Sequence, residues 1–222
     1  MTQKVATAPR PPRLAVLGAG HVGPALARVA IEAGYAVSIA ASGDPEQIRL
    51  ITQVLTPGAE PRWAADAVSD ADIVMLAIPL HRFATFDPDL VRGKLVVDLM
   101  NYWPPVDGVQ DTFEDRRFGS SEIVQQRLVG STVVKSFNHI GYHELESDRQ
   151  PAASAGRRAL GVAGDDAASV ESVLAVVEQI GYDAIGIDSL RGGRVLEPAG
   201  PVFGARLDRI EFERAVRAEL AA

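Results

Sequence analysis

The stretch Leu14-Ala-Val-Leu-Gly18-Ala-Gly20-His-Val-Gly23, followed at once by Pro24-Ala-Leu-Ala-Arg-Val-Ala, decides the fold. Four apolar residues typical of a buried strand lead into three glycines with the spacing G-x-G-x-x-G, and a helix rich in small residues begins directly behind them. In this strand–turn–helix context the motif predicts a dinucleotide-binding loop. Gly18 allows a tight turn, Gly20 lets the main chain approach a pyrophosphate, and Gly23 lets the helix pack close to the strand.

The helix behind the glycines begins where an anion would bind. The amides of His21 and Val22 point out of its first turn, and the positive end of the helix dipole lies beside them, so both favour phosphate. The alternative is a glycine turn that binds nothing, but such a turn needs no strand before it and no helix after it.

Composition restricts the class of protein. The chain has 222 residues, 47% hydrophobic and 23% charged, which suits one globular core. Its net charge of −7 and lack of a basic patch argue against binding to nucleic acid. Without cysteine there is no disulfide, no thiolate catalysis and no cysteine-ligated metal. Apolar runs are too short for a membrane span, and residues 1–13 are polar and broken by prolines, so we expect a flexible tail on a cytoplasmic protein without a membrane partner.

The rest of the chain alternates short apolar strands with helical segments, which predicts an α/β fold: a Rossmann-like, doubly wound, mostly parallel sheet with helices on both faces. Residues 14–150 are predicted to form an NAD(P)-binding Rossmann domain. Residues 151–222 are predicted to add a β-α-β unit and a terminal helix, packed on the same core. The predicted strands after the first are 35–40, 72–78, 94–98, 131–137, 157–163 and 183–187, and the terminal helix is 205–220.

Ligands of such sheets bind outside the carboxyl ends of the strands. We call this edge of the sheet the rim. Gly18, Pro79, residues 98–101 and Asn138 are expected to lie along it. Asp98 at a strand end is either a general base or, more commonly, the cap of the next turn. Asn138 is either a turn residue or a ligand-binding residue.

The end of the second strand bears on the choice between NADP and NAD. NAD enzymes usually place an acidic residue there to bind the ribose 2′-hydroxyl. Here the strand ends in Ala40-Ala-Ser42-Gly, and the first carboxylate is Asp44, which also fits as the cap of a helix beginning with Pro45. Ser42 and the following amides have room for a 2′-phosphate, although no arginine follows. NADP is therefore favoured and NAD remains possible.

Several motifs together resemble one known family. They are the glycine loop, Ala77-Ile-Pro79, Val133-Val-Lys-Ser-Phe-Asn138, Ala163-Gly-Asp-Asp166 and Arg194-Val-Leu-Glu-Pro198. In this order they resemble the coenzyme F420-dependent NADP oxidoreductases, over about residues 13–204. The resemblance implies hydride transfer between a nicotinamide and the deazaflavin F420, a small-molecule hydride acceptor, and a homodimer to which the terminal helix could contribute.

The resemblance also implies roles for individual residues. His21 and Val22 would contact the pyrophosphate, Ser42 the adenosine phosphate, and Ile78-Pro79 would pass beneath the nicotinamide. The stretch 138–142 would lie between nicotinamide and deazaflavin. The predicted cofactor-binding set is Gly18, Gly20, His21, Val22, Gly23, Ser42, Ile78, Pro79, Asn138, His139 and Gly141. The chain departs from the family pattern at Gly43-Asp44, where arginine is common, and over residues 98–108.

No catalytic side chain and no metal ligand are predicted. Hydride transfer between stacked rings depends mostly on positioning. His139 and His143 are four residues apart but no third ligand is evident, so His139 is read as a polar contact to a substrate or as a core histidine.

Two further groups bear on the second substrate. Tyr102 and Trp103 either form an aromatic wall for a flat substrate or pack on the sheet. Arg116, Arg117, Arg191 and Arg194 are candidates to hold an anionic tail such as that of F420.

Two other functions remain open. One is reduction of a small carbonyl or imine. Dehydrogenases of that kind usually add a large helical domain with a catalytic lysine, whereas the chain after Asn138 is short and Lys135 lies within a predicted strand. The other is a module that senses NAD(P) without turning it over, which the lack of obvious acid–base residues permits.

Overall fold

The computed structural model describes residues 11–115 and 117–221. Residues 1–10 of the predicted tail, and Arg116, lie outside the described residues. The first strand begins at Arg13 rather than Leu14. The strands are β1 Arg13–Leu17, β2 Ala36–Ala40, β3 Glu60–Pro61, β4 Ile73–Leu76, β5 Leu95–Asp98, β6 Thr132–Ser136, β7 Ala159–Gly164 and β8 Asp183–Ile187.

Helices connect these strands. The α-helices are α1 Val22–Glu32, α2 Glu46–Leu55, α3 Ala64–Asp70, α4 Leu80–Phe83, α5 Pro104–Asp107, α6 Asp111–Glu114, α7 Ser120–Arg127, α8 Glu144–Ser147, α9 Ala167–Ile180 and α10 Arg209–Leu220. Two 3₁₀ helices, Pro88–Val91 and Gly192–Leu196, complete the connections.

All eight strands form one sheet in the order β3-β2-β1-β4-β5-β6-β7-β8. Every neighbouring pair is parallel except β6 and β7, which are antiparallel. The connection from β6 to β7 spans residues 137–158 and contains only the four-residue α8, whereas parallel neighbours are usually joined by a longer crossover helix. The units β7, α9 and β8 continue the sheet as a β-α-β unit. The predicted fold class, a mostly parallel Rossmann-like sheet with this extension and a terminal helix, is confirmed.

Apolar side chains cover both faces of the sheet. On one face α1 and α9 pack against the strands, and on the other α3 and α7 do so. A third cluster joins β7 and β8 to α10 through Phe212 and Val216. The strands of β1 and β4 are buried on both faces, which explains their continuous apolar sequences.

Two elements begin later than the sequence predicts, for identifiable reasons. The strand expected over 157–163 begins at Ala159, because Arg158 forms an isolated antiparallel bridge with Asp208 and the Arg157 amide bonds back to the Ser154 carbonyl oxygen of the preceding turn. The terminal helix expected from residue 205 begins at Arg209. Asp208 accepts a hydrogen bond from the Glu211 amide at 2.9 Å and caps this helix.

Among the described residues, no helix combines the length and the apolar character that crossing a bilayer requires.

Candidate functional site

The three glycines between β1 and α1 have different surroundings. A Cβ added to Gly18, where φ is 126°, would lie 2.3 Å from the carbonyl oxygen of Ala77. A Cβ added to Gly23 would lie 1.9 Å from the carbonyl oxygen of Gly18. A Cβ added to Gly20 would meet no atom within 4 Å. Two glycines are therefore needed for the fold of the loop, while the open side of Gly20 leaves space for a ligand.

The first turn of α1 presents amides toward that space. Its first N–H groups precede the helical ladder and have no acceptor within the helix, and Pro24 has no N–H at all. His21, just before the helix, is exposed. The amides of His21 and Val22, together with the helix dipole, therefore suit a pyrophosphate.

The end of β2 lies beside this loop. The Gly18 amide donates to the carbonyl oxygen of Ala40 at 2.9 Å, which joins the loop to the strand end. Ser42, two residues further, is exposed. Asp44 Oδ1 accepts a hydrogen bond from the Glu46 amide at 2.9 Å, so its carboxylate caps the start of α2. The tip of β2 thus presents a free hydroxyl and a carboxylate already engaged by the main chain.

The end of β4 passes directly under the glycine loop. The position where a Cβ of Gly18 would lie is only 3.2 Å from the Ile78 amide nitrogen. Ile78 is partly exposed and Pro79 is exposed before α4 begins at Leu80. Both residues therefore lie on the rim next to Gly18, as the sequence predicts for the rim.

Asn138 connects three segments of the rim. It follows Phe137, whose φ of 59° turns the chain away from β6. Its side-chain Nδ2 donates to Asn101 Oδ1 at 2.9 Å and to the Leu196 carbonyl oxygen at 2.6 Å. Asn101 Nδ2 in turn donates to the Asn138 carbonyl oxygen at 2.7 Å. The Asn138 side chain is buried and holds the rim together.

His139 is a buried histidine with both ring nitrogens engaged. Nε2 accepts a hydrogen bond from the Gly161 amide at 3.1 Å, so Nδ1 carries the proton and lies 3.3 Å from Asn138 Oδ1. Burial, with the positive charges of Arg158 and Lys135, lowers the pKa of His139 to about 3. The ring therefore stays neutral and has no nitrogen left to contact a substrate, which agrees with the core-histidine alternative.

The turn after His139 approaches the glycine loop. The Tyr142 ring lies 5.1 Å from the His21 ring and 3.8 Å from the His143 ring, measured between centroids. Gly141 is exposed, and its amide donates to Glu144 Oε2 at 3.3 Å. Contacts of His21 with Tyr142 and of Asn138 with Asn101 therefore bring the predicted site residues together along one rim.

The two aromatic candidates point in different directions. Tyr102 stacks on Phe113 at 5.6 Å, and its hydroxyl donates to Glu114 Oε1 at 2.5 Å, which raises the pKa of the phenol. Trp103 is 45% exposed and lies nearly parallel to Phe203, with centroids 6.4 Å apart. The Gly204 amide, next to Phe203, donates to the His139 carbonyl oxygen at 2.9 Å. Trp103 and Phe203 thus form an aromatic pair beside Asn138 and His139.

The arginine candidates for binding an anionic tail have different surroundings. Arg117 forms three short contacts with the Asp115 carboxylate, which neutralise it, and Arg116 lies outside the described residues. Arg191 and Arg194 are exposed, and their guanidinium groups have no ion-pair partner within the described part of the chain. Arg194 precedes Leu196, which Asn138 contacts, so this arginine lies near the rim.

Asp98 is fully buried, with Oδ1 accepting from the Met100 amide at 2.9 Å and Oδ2 from Ser121 Oγ at 2.6 Å. It therefore caps the turn after β5, as the more common interpretation predicts. Across residues 11–115 and 117–221, no three His, Cys, Asp or Glu side chains are grouped so that they could hold a metal ion.

Residues 13–102 match the family described as NADP oxidoreductase, coenzyme F420-dependent. The resemblance is confirmed over these residues. They contain β1 to β5 and include the glycine loop, Ser42 and Pro79. No curated protein matches the chain.

Solved structures extend the likeness of the fold over most of the chain. A hypothetical protein from Sinorhizobium meliloti is 27% identical, with a TM-score of 0.75 over 89% of this chain and 96% of its own. A proposed F420-dependent NADP reductase from Arthrobacter sp. FB24 is 22% identical, with a TM-score of 0.71 over 89% of this chain and 100% of its own. An imine reductase from Myxococcus stipitatus in complex with NADP⁺ is 19% identical, with a TM-score of 0.55 over 95% of this chain and 61% of its own.

Sequence reasoning missed the partners that assemble the rim. Phe203 and the Leu196 carbonyl group come from a segment for which no element was predicted, and only the motif 194–198 pointed to it. Lys135 was placed correctly in a strand, but its burial among polar groups was not foreseen.

Proposed function

We propose that the protein transfers a hydride between NADP and coenzyme F420 or a similar flavin-like acceptor. The observation that carries the proposal is the family match over residues 13–102, which falls on a glycine loop with open space at Gly20. Bound NADPH would supply the hydride and the bound deazaflavin would accept it. The amides of His21 and Val22 would hold the pyrophosphate.

The chain's own contribution is to position two flat rings. Ile78-Pro79 would support the nicotinamide from the β4 side, and the turn after Asn138 would face it from the β6 side. Tyr142 contacts His21 there, so the glycine loop and the turn support each other. Stacking at about 3–3.5 Å requires small groups and main chain at the contact, which Gly141 offers.

Three polar side chains at the rim are engaged by the protein itself and are not poised as an acid or base. The polar groups of Asn138, His139 and Asp98 all bind other protein groups. Carbonyl or imine reduction needs a proton donor at the substrate, whereas hydride transfer between ring systems does not need a protein acid at the reacting carbon. This difference favours the ring acceptor over the small carbonyl or imine.

NADP is favoured over NAD within the proposal. Ser42 is exposed at the end of β2, while Asp44 lies two residues further along and its Oδ1 accepts a hydrogen bond from the Glu46 amide. A serine hydroxyl and the following amides can donate hydrogen bonds to a 2′-phosphate, whereas a carboxylate at the tip of the strand would repel it. Arg191 and Arg194 would bind the anionic tail of the acceptor. The proposal includes a cytoplasmic homodimer.

The test is to mix the purified protein with NADPH and oxidised F420 and to follow F420 absorbance, then repeat with NADH. The proposal predicts rapid bleaching with NADPH and slower bleaching with NADH. NADPH binding without bleaching would contradict the F420 assignment. In that case NADPH consumption with flavins and then small imines separates another reductase from a sensing module, which consumes no NADPH with any acceptor.

A further inference from the structure

A fully buried lysine lies beneath the rim. Lys135 is in β6, paired in register with Asp98 of β5, and its side chain is 0% exposed. Its Nζ donates to Ser121 Oγ at 2.9 Å, to Ser120 Oγ at 3.0 Å and to the Met100 carbonyl oxygen at 3.3 Å. These bonds use all three ammonium protons. Asp98 Oδ2, 3.7 Å away, balances the charge.

The network extends from Lys135 to a third segment. Ser120 Oγ passes a hydrogen bond on to Glu197 Oε1 at 2.9 Å, and the Ser120 amide donates to the same oxygen at 2.7 Å. Lys135 thereby joins β6 to the segment after β5, to the start of α7 and to the residue after the second 3₁₀ helix.

The Lys135 network and the Asn138 side chain bind adjacent residues of the same two segments. Lys135 binds Met100, and Asn138 binds Asn101. The Lys135 network reaches Glu197, and Asn138 binds the Leu196 carbonyl group. The segment after β5 is therefore fixed at Met100 and Asn101, and the segment at the end of the second 3₁₀ helix is fixed at Leu196 and Glu197. In each segment one attachment lies beneath the rim and the other lies within it.

Each segment is also held by a main-chain hydrogen bond, from the Leu99 amide to the Leu76 carbonyl oxygen and from the Glu197 amide to the Arg194 carbonyl oxygen. Residues 99–103 leave the sheet after β5 and lead to the exposed Trp103, and residues 196–203 lead to Phe203, its aromatic partner. Charged hydrogen bonds in a dry interior are stronger and more directional than neutral ones. An ammonium with three fixed acceptors can thus set the position of both segments.

We propose that Lys135 is a positioning residue for the second-substrate side of the site. It holds residues 99–103 and 196–197 against β6, so that Trp103 and Phe203 face the acceptor and Asn138 keeps its partners Asn101 and Leu196. The kinetic part of this inference rests on the proposed function. The glycine loop follows β1 and Ser42 follows β2, so β4 and β5 separate both from β6, and we expect NADPH binding to change little when Lys135 is replaced.

The test uses the double variant Lys135→Met/Asp98→Asn. It removes both buried charges together, since removing one alone would leave the other uncompensated. We expect an unchanged dissociation constant for NADPH, a higher KM for the acceptor and a kcat lower by up to about 100-fold, because small displacements at a reacting site cost that much. The control is Ser136→Ala, which removes a buried hydrogen bond to the Gly161 carbonyl group on the opposite face of β6.

A second measurement does not need activity. In a Trp63→Phe background Trp103 is the remaining tryptophan, so its fluorescence anisotropy reports the mobility of residues 99–103. We expect the anisotropy to fall in the double variant and to stay unchanged in Ser136→Ala. Failure of the wild type to reduce F420 would overturn the proposed function while leaving this measurement decisive for Lys135.

Ser120→Ala is a milder variant, which tests the role of the Lys135 network if the double variant does not fold. It breaks the bridge from Lys135 to Glu197, and we expect the same changes at smaller size. Unchanged anisotropy together with unchanged kinetics, or loss of NADPH binding in parallel with loss of turnover, would overturn the inference.

Discussion

Gly20 is the glycine of the loop whose substitution is expected to weaken cofactor binding without disturbing the fold. A side chain at Gly20 would point into open space, whereas side chains at Gly18 or Gly23 would collide with the main chain. We predict that Gly20→Val folds with an unchanged melting temperature, because exposed substitutions usually change stability by less than about 0.5 kcal/mol. NADPH should bind about 100-fold more weakly, since the valine occupies the space of the pyrophosphate and each lost charged hydrogen bond is worth about 1.5–3 kcal/mol.

Calorimetric titration with NADPH measures this effect. The control is Gly186→Ala in β8, where the added Cβ would meet only Leu174 Cδ1 at 3.7 Å, an ordinary contact. Normal NADPH affinity in Gly20→Val would contradict the placement of the pyrophosphate.

His139 makes the stability of the protein depend on pH. In the folded state its pKa is lowered to about 3, mainly by burial, compared with about 6.5 in the unfolded chain. The unfolded state therefore binds more protons between these values, and the free energy of unfolding falls as the pH drops below about 6.5. His139→Gln keeps an acceptor for the Gly161 amide and removes the titration.

We predict that the denaturant midpoint falls less between pH 7.5 and pH 5 in His139→Gln than in the wild type. The exposed His143 gives the matched control, and His143→Gln should behave as the wild type does. Equal pH dependence in all three proteins would show that the ring is not held neutral in the fold.

At the scale of elements, the sequence predicted the strands well because buried parallel strands are short, apolar and bounded by turn residues. Asp183–Ile187 agrees exactly with its predicted range, and α9 ends at Gly181, where φ is 123°, as a glycine after an apolar periodic run indicates. The reversal of β7 could not be predicted, because the connection over residues 137–158 is long enough for either direction and its helix α8 has only four residues.

The segment between β5 and α7 was the least predictable. Its short helices α5 and α6 have too few residues for a periodic pattern, and they depend on tertiary hydrogen bonds. The burial of Lys135 could not be predicted either, since a lysine in a strand is normally solvated and its three acceptors come from two segments distant in sequence. The rim position of Asn138 followed from the fold class, but its partners did not.

Asp107 holds the segment that carries Trp103. Its Oδ2 accepts from the Trp103 amide at 3.0 Å, and its Oδ1 accepts from the His81 amide at 3.2 Å and lies 3.1 Å from His81 Nδ1. We predict that Asp107→Ala raises the acceptor KM and leaves the dissociation constant for NADPH unchanged. The free energy of unfolding should fall by about 1–2 kcal/mol, since buried acceptors are lost.

Steady-state kinetics and chemical denaturation measure both effects. The neighbouring Asp111→Ala removes an exposed carboxylate in α6 and serves as the control. An acceptor KM equal to that of the wild type in Asp107→Ala would show that the position of Trp103 has no part in acceptor binding.

At the scale of the whole molecule, an exposed apolar face bears on the expected homodimer. Helix α2 exposes Leu50 (73%) and Val54 (70%), with Ile51 and Leu55 beside them. The terminal helix α10 exposes Ile210 and Leu220 among charged residues. Two copies of one surface meet in a twofold dimer, and the apolar residues of α2 lie beside a single ion pair, Arg49–Glu46, so little like charge would be brought together. The α2 face is therefore favoured over the terminal helix.

Sedimentation velocity tests this choice. We predict a dimer for the wild type, a monomer for Leu50→Glu/Val54→Glu, and a dimer for Ile210→Glu. A monomeric wild type would contradict the homodimer, and a monomer in Ile210→Glu alone would return the contact to the terminal helix.

In the proposed function the sheet positions two ligands against each other, and direct hydride transfer between them is the central claim. The most direct measurement follows deuterium from NADPH, labelled at one face of the nicotinamide C4 or at the other, into F420 in ordinary water. Mass spectrometry of the reduced F420 should show the label from one of the two labelled cofactors, because stacked rings exchange hydride on a single face. Reduced F420 without deuterium from either cofactor, or no reduction at all, would contradict the account.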